Sequence, residues 1–159
     1  MNKKTPFVYT KSKKEFSMWG FLIALLSGAL MSVQGVFNTD VTKNTSLWVS
    51  TAFVQFSALA VCMIAWLFFD RTPFTALMQV PHKYTLLGGA IGAFITVTVV
   101  KSMGSLGPAK AAMLIVIAQL SVAWMIELFG LFGMEKAEFS MRKLIGLLIA
   151  VAGVITFEL

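Results

Sequence analysis

Residues 108–133 read PAKAAMLIVIAQLSVAWMIELFGLFG. After Lys110 this stretch carries a single charged residue, Glu127, before it ends on Gly133. About 20 mostly apolar residues are what an α-helix needs to cross a hydrocarbon core of about 30 Å. Pro108 suits the first turn, where its missing N–H removes no bond. The stretch therefore predicts a membrane-spanning helix over 108–133. Working outward, four comparable runs occupy 18–38, 47–69, 84–103 and 143–157. The second stops at Asp70-Arg71-Thr72-Pro73 and gives way to a mixed loop ending at Lys83. Residues 104–107 form a tight link, and 134–142 form a charged loop. The last run is the shortest. The expected fold is an all-α integral membrane protein with five transmembrane helices in one membrane domain, residues 17–159, after a mobile basic arm at 1–16.

Composition agrees. Of 159 residues, 58% are hydrophobic and 13% charged, and mean hydropathy is +0.84. A soluble domain carries roughly a quarter charged residues, which this chain lacks. The net charge of +6 raises nucleic acid as a partner, but the basic residues cluster at segment ends and form no folded patch. No nucleic acid is expected. Cys62 is the sole cysteine and lies in an apolar run, and His82 is the sole histidine. A disulfide framework, a metal site and a cofactor are therefore not expected. The spans hold no His/Asp cluster, no Ser-His pair and no paired carboxylates, which argues against an enzyme. The basic start could preface a cleaved signal peptide. Its apolar stretch is too long, however, and no small-x-small site follows, so it reads as a retained span.

Short-loop Lys and Arg residues set orientation. With five spans, one side holds Lys3, Lys4, Lys11, Lys13, Lys14, Arg71, Lys83, Lys136, Arg142 and Lys143, and the other Lys43, Lys101 and Lys110. The N-terminus is expected in the cytoplasm and the C-terminus outside, in a bacterial inner membrane. Lys101 and Lys110 are expected to snorkel to the outer surface. Trp19, Trp48 and Trp66 fall near the two interfaces, where tryptophan anchors.

Lipid-facing helix surface needs only apolar side chains, so small and polar residues mark inward faces. In the first run Gly20, Ala24, Ser27, Met31, Gln34, Gly35 and Asn38 form one stripe at helical spacing. Gln34 and Asn38 fit polar packing or pocket lining equally well. Gln55 is the strongly polar interior group of the second run, on a face shared with Thr51, Ala58 and Cys62. Gly88 and Gly92 in the third run, and Gly146 and Gly153 in the fifth, predict faces for close helix packing.

The fourth run carries the most chemistry. Ala112, Gln119, Ala123, Ile126, Glu127 and Gly130 fall within about 100° of arc at the helical step. If the helix runs to Gly133, Glu127 lies about 9 Å inside its end. An ionised side chain at the bilayer centre costs about 2.5–3.5 kcal/mol, somewhat less at this depth, and the neutral form avoids much of that. A carboxyl that can take a proton or hold a cation is what proton-coupled transport needs. Trp124, three residues earlier, is placed to add an aromatic wall. The competing reading is that Glu127 only pairs with a loop Lys or Arg at the interface.

Three stretches together carry a resemblance: SGALMSVQGVFN at 27–38, IAQLSVAWMIELFGLFG at 117–133, and a fifth run opening Arg-Lys-Leu-Ile-Gly and closing on Ala-Gly-Val. They resemble the small five-helix YdcZ-like branch of the drug/metabolite transporter superfamily, over about residues 18–157. The resemblance implies half of an inverted-repeat ten-helix transporter, because small members associate as antiparallel pairs of chains. Gln34 and Asn38 match the first-helix motif, and Gln119 and Glu127 the fourth-helix motif. The sixteen-residue arm departs from the usual short N-terminus. An odd number of spans makes a second copy fused in the same chain enter inverted, and inverted repeats surround a midplane site. The strong charge bias favours a second small membrane chain of opposite bias over a homodimer. The expected function is export or antiport of a small organic solute, with Glu127, Gln119, Gln34, Asn38, Gln55 and Trp124 at the site. The alternative is a non-transporting scaffold or accessory subunit.

Overall fold

The structure is a computed structural model that describes residues 18–158. The basic arm at 1–16 lies outside the described residues. Five long helices follow in order: α1 (Met18–Asn44), α2 (Leu47–Ala65), α3 (Gly88–Leu106), α4 (Pro108–Phe129) and α5 (Met141–Glu158). No strand occurs among the described residues.

Several helices end elsewhere than their apolar runs. α1 continues past Asn38 to Asn44. The hydroxyls of Thr39, Thr42 and Thr45 donate back to the carbonyls of Gly35, Asn38 and Val41, so this polar tail satisfies itself without leaving the helix. Ser46 then caps α2, its hydroxyl accepting from the Val49 N–H at 3.2 Å. α2 passes into a π-helical turn, Trp66–Asp70, which Arg71 closes at φ 56°. The Trp66 indole donates to the Thr72 carbonyl at 2.8 Å, which fixes this tryptophan at the end of its helix. Lys83–Leu87 forms a 3-10 turn before α3. α3 runs through Leu106, so the expected link at 104–107 shrinks to Gly107, whose φ of 83° suits glycine. α4 stops at Phe129 and not at Gly133, because Gly130 adopts a left-handed cap at φ 64°. α5 starts two residues before 143, at Met141.

By length and composition, four helical segments can cross a membrane: Met18–Asn44, Leu47–Asp70, Lys83–Leu106 and Pro108–Phe129. α5 has 18 residues but includes Arg142, Lys143 and Glu158. Its apolar part, 144–157, gives about 21 Å of helix.

Residues 18–31 of α1 belong to a compact unit of their own, and Ser32–Leu159 form the second. In the first, the Ser27 hydroxyl bonds back to the Ile23 carbonyl at 2.9 Å, so this in-span polar group needs no other partner. In the second, α2 packs on α3, α3 on α4 and α4 on α5. Its buried residues sit near two tight turns, Thr45–Ser46 and Gly107. They are Gly35, Asn38, Ser50, Thr51, Val97, Val100, Met103 and Ala111. Each lies within about 15 Å of helix rise from one of those turns. Ser50 is fully buried, and its hydroxyl donates to the Asn38 carbonyl at 3.1 Å, tying α2 to α1. A Cβ placed on Gly35 would lie 2.5 Å from both Sδ and Cε of Met103. Glycine is what lets α1 approach α3 there.

At the opposite end, which carries the loops 71–87 and 130–140, no described residue of this unit is buried. Contacts there include aromatic ones: Tyr84 stands 5.6 Å from His82 and 6.5 Å from Phe132, ring centre to ring centre.

Candidate functional site

The last turn of α4 holds Glu127, and two backbone features fix it. Gly130 closes the helix, its N–H bonding to the Ile126 carbonyl. The chain then doubles back, and the Ala137 N–H donates to the carbonyl of Glu127 itself at 2.8 Å. A Cβ on Gly130 would sit 3.2 Å from the Met134 carbonyl oxygen and 3.3 Å from Lys136 Cβ, so the reversal makes any side chain there a tight fit.

This loop brings Phe139 onto Trp124, with ring centres 5.7 Å apart at 42°. It also delivers Lys143, in the first turn of α5, to the acid. The Lys143 ammonium donates to Glu127 Oε2 at 2.5 Å, and both side chains are 45% exposed. Beside the pair lies a cleft of about 380 Å³ lined by Leu120, Ala123, Trp124, Glu127, Lys143, Gly146 and Leu147. The α4 residues follow the three-four spacing of one helix face, and so do those of α5. A Cβ on Gly146 would meet nothing within 4 Å, so the cleft widens where that side chain is missing. One carboxylate, one ammonium, an indole and apolar walls make a site that can hold charged groups of either sign against a hydrophobic body.

The six candidates from the sequence do not converge. Glu127 and Trp124 share the α4–α5 cleft, whereas Gln119 is exposed and is not among its lining residues. Gln55 faces α3, its amide nitrogen 3.9 Å from where a Gly92 Cβ would be. Gln34 and Asn38 line a separate groove of about 560 Å³ between α1 and α2, together with Ser57 and Cys62. Of the expected packing glycines, Gly92 meets Gln55. Gly88, Gly146 and Gly153 have open space on their Cβ side within one chain.

The expected depth of Glu127 is also corrected. Because α4 ends at Phe129, the acid belongs to the final turn and not to the interior of a span. Its pairing with a basic residue at a helix end is the competing sequence reading, and the geometry contains that pair. Sequence reading placed Lys143 only among the topology signals, gave Gly146 only to packing, and missed Phe139. A signal for Lys143 existed: in two antiparallel helices consecutive in the chain, the last turn of one faces the first turn of the next. Most other in-span hydroxyls, including Thr96 and Ser121, donate to carbonyls four residues back and are satisfied within their helices.

Residues 19–156 match the drug/metabolite transporter family described as "Putative inner membrane exporter, YdcZ". No curated protein and no solved structure matches the chain. Since the match takes in nearly every described residue of an all-helical fold with several membrane-crossing helices, the chain belongs to the YdcZ family of drug/metabolite transporters and is a multi-pass transporter of the inner membrane.

Proposed function

We propose that the chain exports a small organic solute by alternating access, as one half of an antiparallel ten-helix pair, with Glu127 as the coupling carboxyl. The observation that carries this reading is the Glu127–Lys143 pair set in the Trp124 cleft. A half-exposed ion pair is weakly held, so Glu127 can exchange Lys143 for a proton or for a solute group as the transporter cycles. α5 serves as the fifth span despite its length, because Arg142 and Lys143 can snorkel at one end. The N-terminus then lies in the cytoplasm and the C-terminus outside.

Two features support an antiparallel partner. Gly88 and Gly153 have open Cβ sides, where a neighbouring helix can approach closely. The bias of ten basic residues against three argues for one orientation, which favours a second small chain of opposite bias over a homodimer. C-terminal reporter fusions should report the outer side alone. Equal populations on both sides would replace this pairing by a homodimer.

The test of the site is Glu127→Gln, which keeps shape and removes charge. In reconstituted vesicles it should lower proton-coupled solute flux at least tenfold while the protein stays folded. Full flux would remove Glu127 from the mechanism. One observation favours an accessory-subunit reading instead: Lys143 already satisfies Glu127. Absence of solute flux from vesicles holding the chain, with and without a partner, would select that reading.

A further inference from the structure

The charge inventory of the α4–α5 cleft bears on the solute. Of the residues lining it, only Glu127 and Lys143 are charged, and they neutralise each other in direct contact. A bare acid would invite a cation. An acid with its own ammonium does not, because a monocation entering the cleft must either leave Lys143 without its partner or crowd a second positive charge beside it. A lone anion meets the mirror problem at Lys143. A solute bearing both charges replaces one internal pair by two: its ammonium on Glu127 and its carboxylate on Lys143. The cleft is then neutral both empty and filled, which is the condition that least penalises charge at a membrane-facing site.

The remaining walls specify the rest of the solute. Leu120, Ala123, Leu147 and the Trp124 face are apolar or aromatic, and the missing side chain of Gly146 leaves room beside Lys143. We infer that the cleft takes a small amphipathic zwitterion of the α-amino-acid type, its charged head split between Glu127 and Lys143 and its apolar body against Trp124. This rests on the cleft being the solute site. It changes the role of Lys143 from a passive counter-ion to a specificity-determining residue.

Three probes with one phenyl body separate the possibilities: phenylalanine (zwitterion), 2-phenylethylamine (cation) and 3-phenylpropanoate (anion). Binding is read by thermal shift on the purified full chain and flux in vesicles, with and without the partner chain. Phenylalanine should bind at least tenfold more tightly than either single-charge probe. Lys143→Gln should reverse the order in favour of 2-phenylethylamine by a similar factor. The charge exchange Glu127→Lys with Lys143→Glu should restore the preference for phenylalanine, and it also controls for folding. Preference of the native chain for 2-phenylethylamine would overturn the zwitterion. If Glu127→Gln then abolished flux of that amine, the transport reading would stand. An unchanged order in Lys143→Gln, or binding by none of the three probes, would also overturn the proposal. Flux of all three that is indifferent to Glu127→Gln would remove the transport reading of the cleft as well.

Discussion

The two ends of the Ser32–Leu159 unit solve opposite problems. Around Thr45–Ser46 and Gly107 the chain turns in one or two residues, and helices forced together by such short links bury their facing side chains. Met103 fills the space over Gly35, and Ser50 spends its hydroxyl on the Asn38 carbonyl. At the other end the connections are long, 71–87 and 130–140, and no described residue of the unit is buried. There the loop 130–140 folds back onto the backbone of the last turn of α4, leaving a cleft whose charged groups stay reachable. Tight turns make the fixed end, and long loops free the other for exchange.

Substitutions at matched glycines break or sharpen this contrast. Gly35→Leu should give the largest loss of stability, about 1–3 kcal/mol from overpacking against buried Met103, measured by unfolding in bicelles. Gly146→Leu should leave unfolding within about 0.5 kcal/mol, as expected away from packed positions, yet cut flux at least tenfold by filling the cleft. Equal stability losses at the two glycines would end the distinction. Next in size, Gly130→Ala should cost about 1–2 kcal/mol because its left-handed φ penalises a side chain. It should also reduce flux, since the reversal that seats Ala137 on Glu127 is disturbed. Ser50→Ala should cost about 1 kcal/mol, the typical net worth of one hydrogen bond. Lys143→Gln should cost only about 0–1 kcal/mol, as expected for a half-exposed pair. A large destabilisation there would make the pair a structural clamp.

The helices were legible in the sequence because apolar length is a local property. Their ends were less so. Threonines that satisfy their own hydroxyls carried α1 beyond its apolar run, and Gly130 cut α4 before its run was finished. Glu127 and Trp124 were readable as neighbours on one helix face, since that requires only the 100° step. Phe139 and Gly146 were not readable as site residues, because their positions follow from how a loop folds back.

The opening stretch, 108–133, shows where that division lies. By itself it determined a membrane helix, one acid on its small-residue face and an indole one turn away, all consequences of hydropathy and helical period. Only the tertiary structure decided that the acid sits in the final turn, that Lys143 meets it, and that Gln34, Asn38, Gln55 and Gln119 lie elsewhere. Periodicity fixes which way a residue points on its own helix. What it points at depends on the turns that bring a second helix there.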